Sequence, residues 1–150
     1  MSRLSHPIPM RPTPSFVCRI AARFDWAGWE TLIARNGYTL DRPYGSAHPR
    51  FPDILYPIDY GYVNDTLGGD GEEVDLFVGS ARNGLVALIL TRDYRRGDRE
   101  CKLIYDCTPE EVYLVNGFIN YDRSLMEGRL VMRRPMRELW TNTPLRTPPT

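Results

Sequence analysis

The chain has 150 residues, of which 42% are hydrophobic and 25% charged, and its 19 basic and 19 acidic residues leave no formal net charge. This composition is that of one ordinary globular domain over residues 1–150 and argues against a disordered chain. No apolar run approaches the roughly 18–20 residues of a membrane span, and the N-terminus lacks the apolar stretch of a signal peptide. Three cysteines without a CxxC pair argue against a disulfide framework or a zinc site, so we expect a cytoplasmic protein.

The first quarter of the chain predicts a loose arm followed by strands. Residues 1–15 contain four prolines and predict an arm without regular structure. Residues 16–22 predict a strand, and residues 37–40 the end of another. Residues 25–35 are compatible with a helix or a long hairpin, because their periodicity does not distinguish the two.

The next segment alternates between loops and short strands. Residues 42–52 are rich in Pro and Gly and predict a loop. Residues 60–63 predict an extended segment, and a glycine turn at 68–71 separates it from a strand over 73–78. In that strand, Asp75 falls on the face opposite the core-facing apolar positions.

The second half predicts a central strand and one well-capped helix. Asn83-Gly84 indicates a hairpin turn into a buried strand over 85–90, and a polar turn over 92–99 precedes an alternating strand over 100–105. Thr108-Pro-Glu-Glu111 predicts a helix start, with Asn116-Gly117 as its end.

A last strand is expected at 130–132, and the proline-containing residues 143–150 are expected to fray. Several short strands with one or two short helices predict a mainly β (α+β) fold, a small β-barrel with helical decoration.

An acidic turn is the most informative feature of the sequence. Residues 65–75 carry five carboxylates, and the wider segment 51–80 has seven acids and no Lys or Arg. Carboxylates held this close raise one another's pKa unless a cation lies among them, and Mg²⁺ and Ca²⁺ take oxygen ligands. A solvated acidic loop is the alternative, but three tyrosines at 56, 60 and 62 are unusual beside a plain surface loop.

Several familiar sites can be excluded. An EF-hand aligned on Gly71 would place Thr66 and Gly68 at ligand positions and Phe77 where the bidentate Glu belongs. The sequence has no phosphate-binding P-loop, HExxH or GxSxG motif, and its two histidines, His6 and His48, are too few for an imidazole-rich zinc site.

The remaining chemistry is that of a carboxylate cage for metal ions. Asp70 and Asp75 flank the glycine turn and can converge on one cation, which leaves Glu72 to act on water. The strand over 100–105 offers Glu100 and Lys102. Two Mg²⁺ ions in such a cage would activate a bridging water, while arginines and tyrosines would bind phosphate oxygens.

At these residues the chain resembles the soluble (family I) inorganic pyrophosphatases, in particular their compact bacterial branch. Asp70-Gly-Glu-Glu-Val-Asp75 is similar to the family's acidic signature, and the segments 56–66, 41–49 and 100–103 match further motifs in the expected order. The resemblance covers residues 39–103, with a weaker similarity at 118–123. It implies a five-stranded OB-like barrel that hydrolyses pyrophosphate to two phosphates with Mg²⁺ as cofactor.

The resemblance also implies residue roles. Glu72 would be the general base. The expected metal ligands are Asp70, Asp75 and Glu100, with Asp98 or Asp93 in addition. Contacts to phosphate would come from Arg42, Arg50, Tyr60, Lys102, Tyr121 and Arg123.

The chain departs from the family pattern at several positions. Glu72 and Glu100 replace Asp, Gly37 and Thr39 stand where the family has a Lys and a Glu, and the turn over 92–99 contains an insertion. Two alternatives therefore stay open: hydrolysis of another phosphoanhydride, such as an organic pyrophosphate or nucleotide, and a decayed OB-like binding domain. The expected partner is a small-molecule substrate, without nucleic acid or membrane, and a homo-oligomer is compatible with the sequence.

Overall fold

A computed structural model describes residues 14–68 and 71–142 of the chain. The described part is a mixed α+β domain in which four helices pack on the two faces of one six-stranded sheet. In chain order the elements are α1 (Pro14–Arg23), α2 (Trp26–Asn36), β1 (Tyr38–Arg42), β2 (Asp59–Val63), β3 (Asp75–Val78), β4 (Leu85–Asp93), β5 (Asp98–Tyr105), α3 (Pro109–Ile119), β6 (Met126–Met132) and α4 (Met136–Asn142).

The sheet has the order β1-β2-β3-β5-β4-β6. Neighbouring strands in the sheet are antiparallel, except that β3 and β5 run parallel, with Leu76 opposite Leu103. In the described residues the two edge strands, β1 and β6, do not pair with each other, so the sheet is open. The prediction of an α+β fold is confirmed at this level, whereas the expected five-stranded closed barrel is not observed.

Two apolar layers cover the sheet. Helices α1 and α2 pack on one face through Val17, Ile20 and Ile33, together with Phe24 between the two helices. Helices α3 and α4 cover the other face, with Val112, Val115 and Ile119 of α3 among fully or nearly fully buried side chains. Because both faces are covered, β4 is buried along most of its length, as its continuous apolar sequence predicts.

The first element corrects a prediction: residues 16–22 form part of helix α1 and not a strand. The apolar side chains that pack on the sheet recur at positions 17, 20, 21 and 24, which is the spacing of one helix face. Residues 25–35, left open between helix and hairpin, form helix α2, and the side chain of Asp25 accepts a hydrogen bond from the Gly28 backbone N–H at its start.

The prediction of a hairpin at Asn83-Gly84 is also wrong, because β3 and β4 are not neighbours in the sheet and β5 lies between them. The backbone N–H of Gly84 donates to Asp106 Oδ1 at 2.8 Å, and Asn83 donates to the carbonyl of Cys107. These hydrogen bonds attach the turn to the residues that follow β5. The chain therefore crosses the end of β5 before β4 begins on the far side of that strand.

The predicted start of α3 is confirmed, but its predicted end is not. Thr108 and Glu111 form the reciprocal hydrogen bonds of a capping box, with Pro109 in the first turn. The helix continues past Asn116-Gly117 to Ile119 because Gly117 keeps a helical backbone there, and Asn120 caps it. Strand β6 begins at Met126, earlier than the expected 130–132.

The two terminal arms expected at 1–15 and 143–150 fall almost entirely outside the described residues. Helices α1 to α4 are each short, and none in the described ranges has the length and apolarity that crossing a bilayer requires.

Candidate functional site

A buried lysine links three strands on the α3 side of the sheet. Lys102 exposes 6% of its surface, and its Nζ donates to Tyr60 Oη at 2.8 Å, Asp75 Oδ2 at 2.8 Å and Glu100 Oε2 at 2.9 Å. One ammonium thus makes three charge-assisted hydrogen bonds, which satisfy all its donors. Four of the residues predicted to form the site are brought together at this point.

Strand register explains why these side chains meet. Leu76 of β3 is paired with Leu103 of β5, so Asp75 and Lys102 precede them on adjacent parallel strands and share a face. On the other side of β3, Tyr60 is paired with Phe77. Glu100 lies two residues before Lys102 on the same face, as the alternation of β5 predicts.

The neighbours of Lys102 determine its charge. Burial by itself lowers the pKa of a lysine, but Tyr60, Asp75 and Glu100 together outweigh it, so the pKa of Lys102 is raised. Burial, and the nearby Asp75 carboxylate, raise the pKa of Tyr60 although Lys102 acts in the opposite direction. At neutral pH the site therefore contains an ammonium and a neutral phenol.

A second cation, Arg42, approaches Tyr60 from the end of β1. Arg42 donates to the hydroxyl of Tyr56, and its guanidinium carbon lies 5.5 Å from the Tyr56 ring centre and 5.6 Å from that of Tyr60. Lys102 Nζ lies 5.2 Å from the same Tyr60 ring centre. Arg42 is therefore within cation–π distance of Tyr60, whereas Lys102 contacts this residue through its hydroxyl group.

The loop between β1 and β2 carries His48 next to these rings. His48 stacks on Tyr56 with ring centres 6.3 Å apart and contacts Phe51 at 5.3 Å. The backbone N–H of Arg50 donates to His48 Nδ1 at 3.1 Å, a bond that requires an unprotonated nitrogen. Burial lowers the pKa of His48, and so do the positive charges of Arg42, Arg95 and Arg50. His48 is therefore neutral at pH 7.

The acidic turn is described only in part. Asp70, a predicted metal ligand, lies outside the described residues, whereas Glu72 is exposed on the turn that precedes β3. The backbone N–H of Gly68 donates to the carbonyl of Glu72, which closes this turn. In residues 14–68 and 71–142, no three acidic, His or Cys side chains form a metal-binding group. The five-carboxylate cage with its Mg²⁺ ions remains a prediction.

The two acids of the β4–β5 turn have arginine partners. Asp93 Oδ1 accepts hydrogen bonds from the backbone N–H groups of Arg95 and Arg96, and its Oδ2 lies 3.6 Å from the Arg95 guanidinium. Asp98 lies opposite Asp93 in the β4–β5 register and 3.1 Å from Arg96. Asp93 thus stabilises the turn in this structure.

Three predicted substrate-binding residues lie on exposed loops. Arg50 is exposed in the loop between β1 and β2, and Tyr121 and Arg123 are exposed in the loop that follows α3. Phe118, at the end of α3, contacts the Tyr56 ring with centres 5.0 Å apart, so the Tyr121 loop begins close to the aromatic cluster. None of these three assignments is tested by the geometry.

Sequence reasoning missed two residues next to the site. Tyr56 was noticed as an unusual tyrosine but given no role, although it is 4% exposed and accepts from Arg42. Arg95 was read as part of a polar turn, yet its guanidinium carbon lies 4.6 Å from the Phe51 ring centre. The insertion in that turn was the available signal, but a turn does not reveal which ring its side chains contact.

Two depressions in the described residues lie away from Lys102. One, of about 300 Å³, lies beside Glu30 and Arg133, and another, of about 770 Å³, lies beside Tyr44, Leu114 and Trp140. Neither contains the Lys102 cluster. The candidate site is therefore defined by its charges and hydrogen bonds and not by cavity size.

Comparison with solved structures identifies the class of fold. The chain superposes on an inorganic pyrophosphatase from Coxiella burnetii with a TM-score of 0.51 and 11% sequence identity, covering 71% of this chain and 90% of that one. At this identity the match establishes the fold alone.

Comparison with curated sequences gives closer relatives over a shorter range. The chain is 40% identical over 48 residues to the inorganic pyrophosphatase of Corynebacterium glutamicum and 38% identical over 48 residues to that of Corynebacterium efficiens. The match spans 30% of this chain and 30% of each relative. No family model matches the chain. The resemblance to inorganic pyrophosphatases that the motifs indicate is confirmed by these two comparisons.

Proposed function

We propose that the protein is an inorganic pyrophosphatase that hydrolyses pyrophosphate to two phosphates with Mg²⁺. The observation that carries this proposal is the convergence of Asp75, Glu100 and Tyr60 on Lys102, on the fold of the pyrophosphatases. The 48-residue match to curated inorganic pyrophosphatases supports it independently. We further propose that the protein acts on this small molecule in the cytoplasm.

The donor set at Lys102 fits a hard divalent cation in type. Asp75 and Glu100 already direct carboxylate oxygens toward one positive group, and oxygen ligands are those that Mg²⁺ prefers. In this proposal Asp70 and Asp75 would hold one ion, and Glu100 would hold a further ion together with Asp93 or Asp98. Bound Mg²⁺ would supply polarisation of the phosphate oxygens and a lowered pKa of the attacking water.

The remaining roles follow from charge and hydrogen bonding. Lys102 has a raised pKa and stays cationic, so it would hold Asp75 and Glu100 in their positions when pyrophosphate is absent. Arg42 and the neutral phenol of Tyr60 would donate to phosphate oxygens, since guanidinium forks and phenols are suited to oxyanions. Glu72, exposed on the acidic turn, would accept the proton of the attacking water. Arg50, Tyr121 and Arg123 would contact phosphate from the loops.

Phosphate release from pyrophosphate, with and without Mg²⁺, tests the proposal. We expect Mg²⁺-dependent release by the wild type and a loss of roughly 100-fold or more in Asp75→Ala. Glu110→Ala is the matched control, because it removes an exposed carboxylate from the first turn of α3, outside the Lys102 cluster. The same assay with a nucleoside triphosphate tests the substrate class.

Failure of the wild type to release phosphate faster with Mg²⁺ would contradict the proposal, provided that circular dichroism shows a folded protein. Faster release from the nucleoside triphosphate than from pyrophosphate would assign the site to another phosphoanhydride. Equal losses in Asp75→Ala and Glu110→Ala would remove the Lys102 cluster from the mechanism.

A further inference from the structure

The tip of the β4–β5 turn presents two arginines in different ways. The side chain of Arg96 is 54% exposed and lies 3.1 Å from Asp98, whereas that of Arg95 is 31% exposed. Arg95 lies over Phe51, with 4.6 Å from its guanidinium carbon to the ring centre. Its orientation is therefore set by an aromatic contact with the loop between β1 and β2, and not by the turn alone.

A continuous series of ring contacts joins Arg95 to the candidate site. Phe51 contacts His48, and His48 stacks on Tyr56. Tyr56 contacts Tyr60 with ring centres 5.2 Å apart, and Tyr60 accepts a hydrogen bond from Lys102. Arg95 thus lies at the outer end of a series of rings that leads to the Lys102 cluster.

Positive charge accumulates around His48. Besides burial, the charges of Arg42, Arg95 and Arg50 lower the pKa of His48, and the Asp93 carboxylate acts in the opposite direction. The carboxylate nearest to Arg95 in the ion pairs of the described residues is Asp93, at 3.6 Å, which is longer than a hydrogen bond. Asp93 also directs its other oxygen to two backbone N–H groups. The guanidinium of Arg95 is therefore only weakly neutralised, as is expected of a group that binds an anion.

We propose that Arg95 binds pyrophosphate and sets the affinity of the site for it. This inference rests on the proposed function, and it deepens that function by assigning a phosphate-binding cation to the β4–β5 turn. A guanidinium matches a phosphoryl group with two parallel hydrogen bonds, and its contact with Phe51 fixes the plane of the fork before substrate arrives.

Steady-state kinetics of pyrophosphate hydrolysis at saturating Mg²⁺ tests the assignment in Arg95→Ala, Arg95→Lys and Arg99→Ala. Arg99 is the matched control, because it is an exposed arginine of the same hairpin and lies on the face of β5 opposite to that of Glu100 and Lys102. We expect KM to rise roughly 10-fold in Arg95→Ala, with little change in kcat, since one charge-assisted contact is lost. The KM of Arg95→Lys should lie between those of the wild type and Arg95→Ala, because lysine keeps the positive charge but lacks the planar guanidinium that makes two parallel hydrogen bonds. Arg99→Ala should match the wild type.

The Mg²⁺ concentration for half-maximal activity separates substrate binding from a structural role through Asp93. An unchanged Mg²⁺ requirement with a raised KM supports the proposal. A raised Mg²⁺ requirement with an unchanged KM overturns it and assigns Arg95 to positioning Asp93. Equal KM values in Arg95→Ala and Arg99→Ala also overturn it, while leaving the proposed function intact.

Calorimetric titration with methylenediphosphonate, a non-hydrolysable analogue, keeps the two proposals distinct. If the folded wild type does not hydrolyse pyrophosphate, the proposed function fails and the titration alone decides the role of Arg95. Weaker binding of the analogue to Arg95→Ala than to Arg99→Ala supports an anion-binding role. Equal binding to both variants overturns it.

Discussion

Asp75 and Lys102 lie side by side on the two parallel strands of the sheet, with 2.8 Å between Oδ2 and Nζ. Lys102 is buried, whereas the Asp75 side chain is 29% exposed, so the carboxylate joins a buried cation to the surface. Removing one partner of such a pair leaves an uncompensated charge in the protein interior. The pair is therefore a stability element as well as a candidate part of the active site.

We expect Asp75→Asn to lower the free energy of unfolding by about 1–3 kcal/mol, because Lys102 keeps Glu100 as its remaining charged partner. Urea denaturation without divalent cations measures this. Asp98→Asn is the control, since its ion pair with Arg96 is largely exposed and should change the free energy of unfolding by less than about 0.5 kcal/mol. Equal effects of the two substitutions would contradict the role of Asp75.

Gly61 allows β1 to approach β2 closely. A Cβ atom at this position would lie 1.8 Å from the carbonyl oxygen of Thr39 and 2.9 Å from Leu40 Cα, both backbone atoms. We expect Gly61→Ala to lower the free energy of unfolding by about 2–4 kcal/mol, because the strands must separate.

Gly117→Ala is the matched control, since no described atom outside its chain neighbours and the backbone of helix α3 lies within 4 Å of its Cβ position. It should raise the free energy of unfolding by about 0.5–1 kcal/mol. The urea midpoints of both variants, compared with that of the wild type, test the two predictions. A Gly61→Ala protein as stable as the wild type would contradict the first prediction and show that β1 can shift away from β2.

His48 should make stability depend on pH in the weakly acidic range. Its pKa is lowered in the folded protein by burial and by Arg42, Arg95 and Arg50, so the unfolded state binds a proton first as the pH falls. The contribution of His48 is therefore present above the unfolded pKa of about 6.5 and is lost progressively below it.

Urea midpoints between pH 7 and pH 5 measure this contribution. We expect His48→Gln to have a flatter dependence on pH than the wild type. A His48→Gln curve parallel to that of the wild type would show that His48 titrates equally in both states.

The three cysteines should differ in reactivity toward a disulfide reagent at pH 8. Cys18 is exposed on α1, whereas burial raises the pKa of Cys101 to about 11 and also raises that of the fully buried Cys107. The thiolate is the reactive form, so we expect one thiol to react rapidly and two more only after unfolding in urea. Cys18→Ser should abolish the rapid phase. A rapid phase that survives this substitution would mean that β5 opens easily.

Local patterns were sufficient to predict the parts of the site that lie on single elements. The alternation of β5 placed Glu100 and Lys102 on one face, and the capping residues of α3 marked its start. The pairing of β3 with β5 could not be predicted, because parallel strands meet through a connection that local sequence does not encode. The hydrogen bond from Lys102 to Asp75 depends on that pairing.

Other errors came from reading composition where periodicity mattered. Residues 16–22 look like a strand by their apolar and β-branched content, but Val17, Ile20 and Phe24 have helical spacing and pack on the sheet. The role of Arg95 depends on its contact with Phe51, which is 44 positions away in the chain. Such a contact between two loops leaves no pattern in the sequence.

The parallel contact of β3 with β5 divides the sheet into two halves, one from β1 to β3 and the other from β4 to β6, each held internally by antiparallel pairs. Tyr60 and Asp75 belong to the first half, and Glu100 and Lys102 to the second. The second half holds the Lys102 ammonium with Glu100, and the first half holds its other two hydrogen-bond partners. The candidate site is consequently complete only where the two halves meet along the β3–β5 contact.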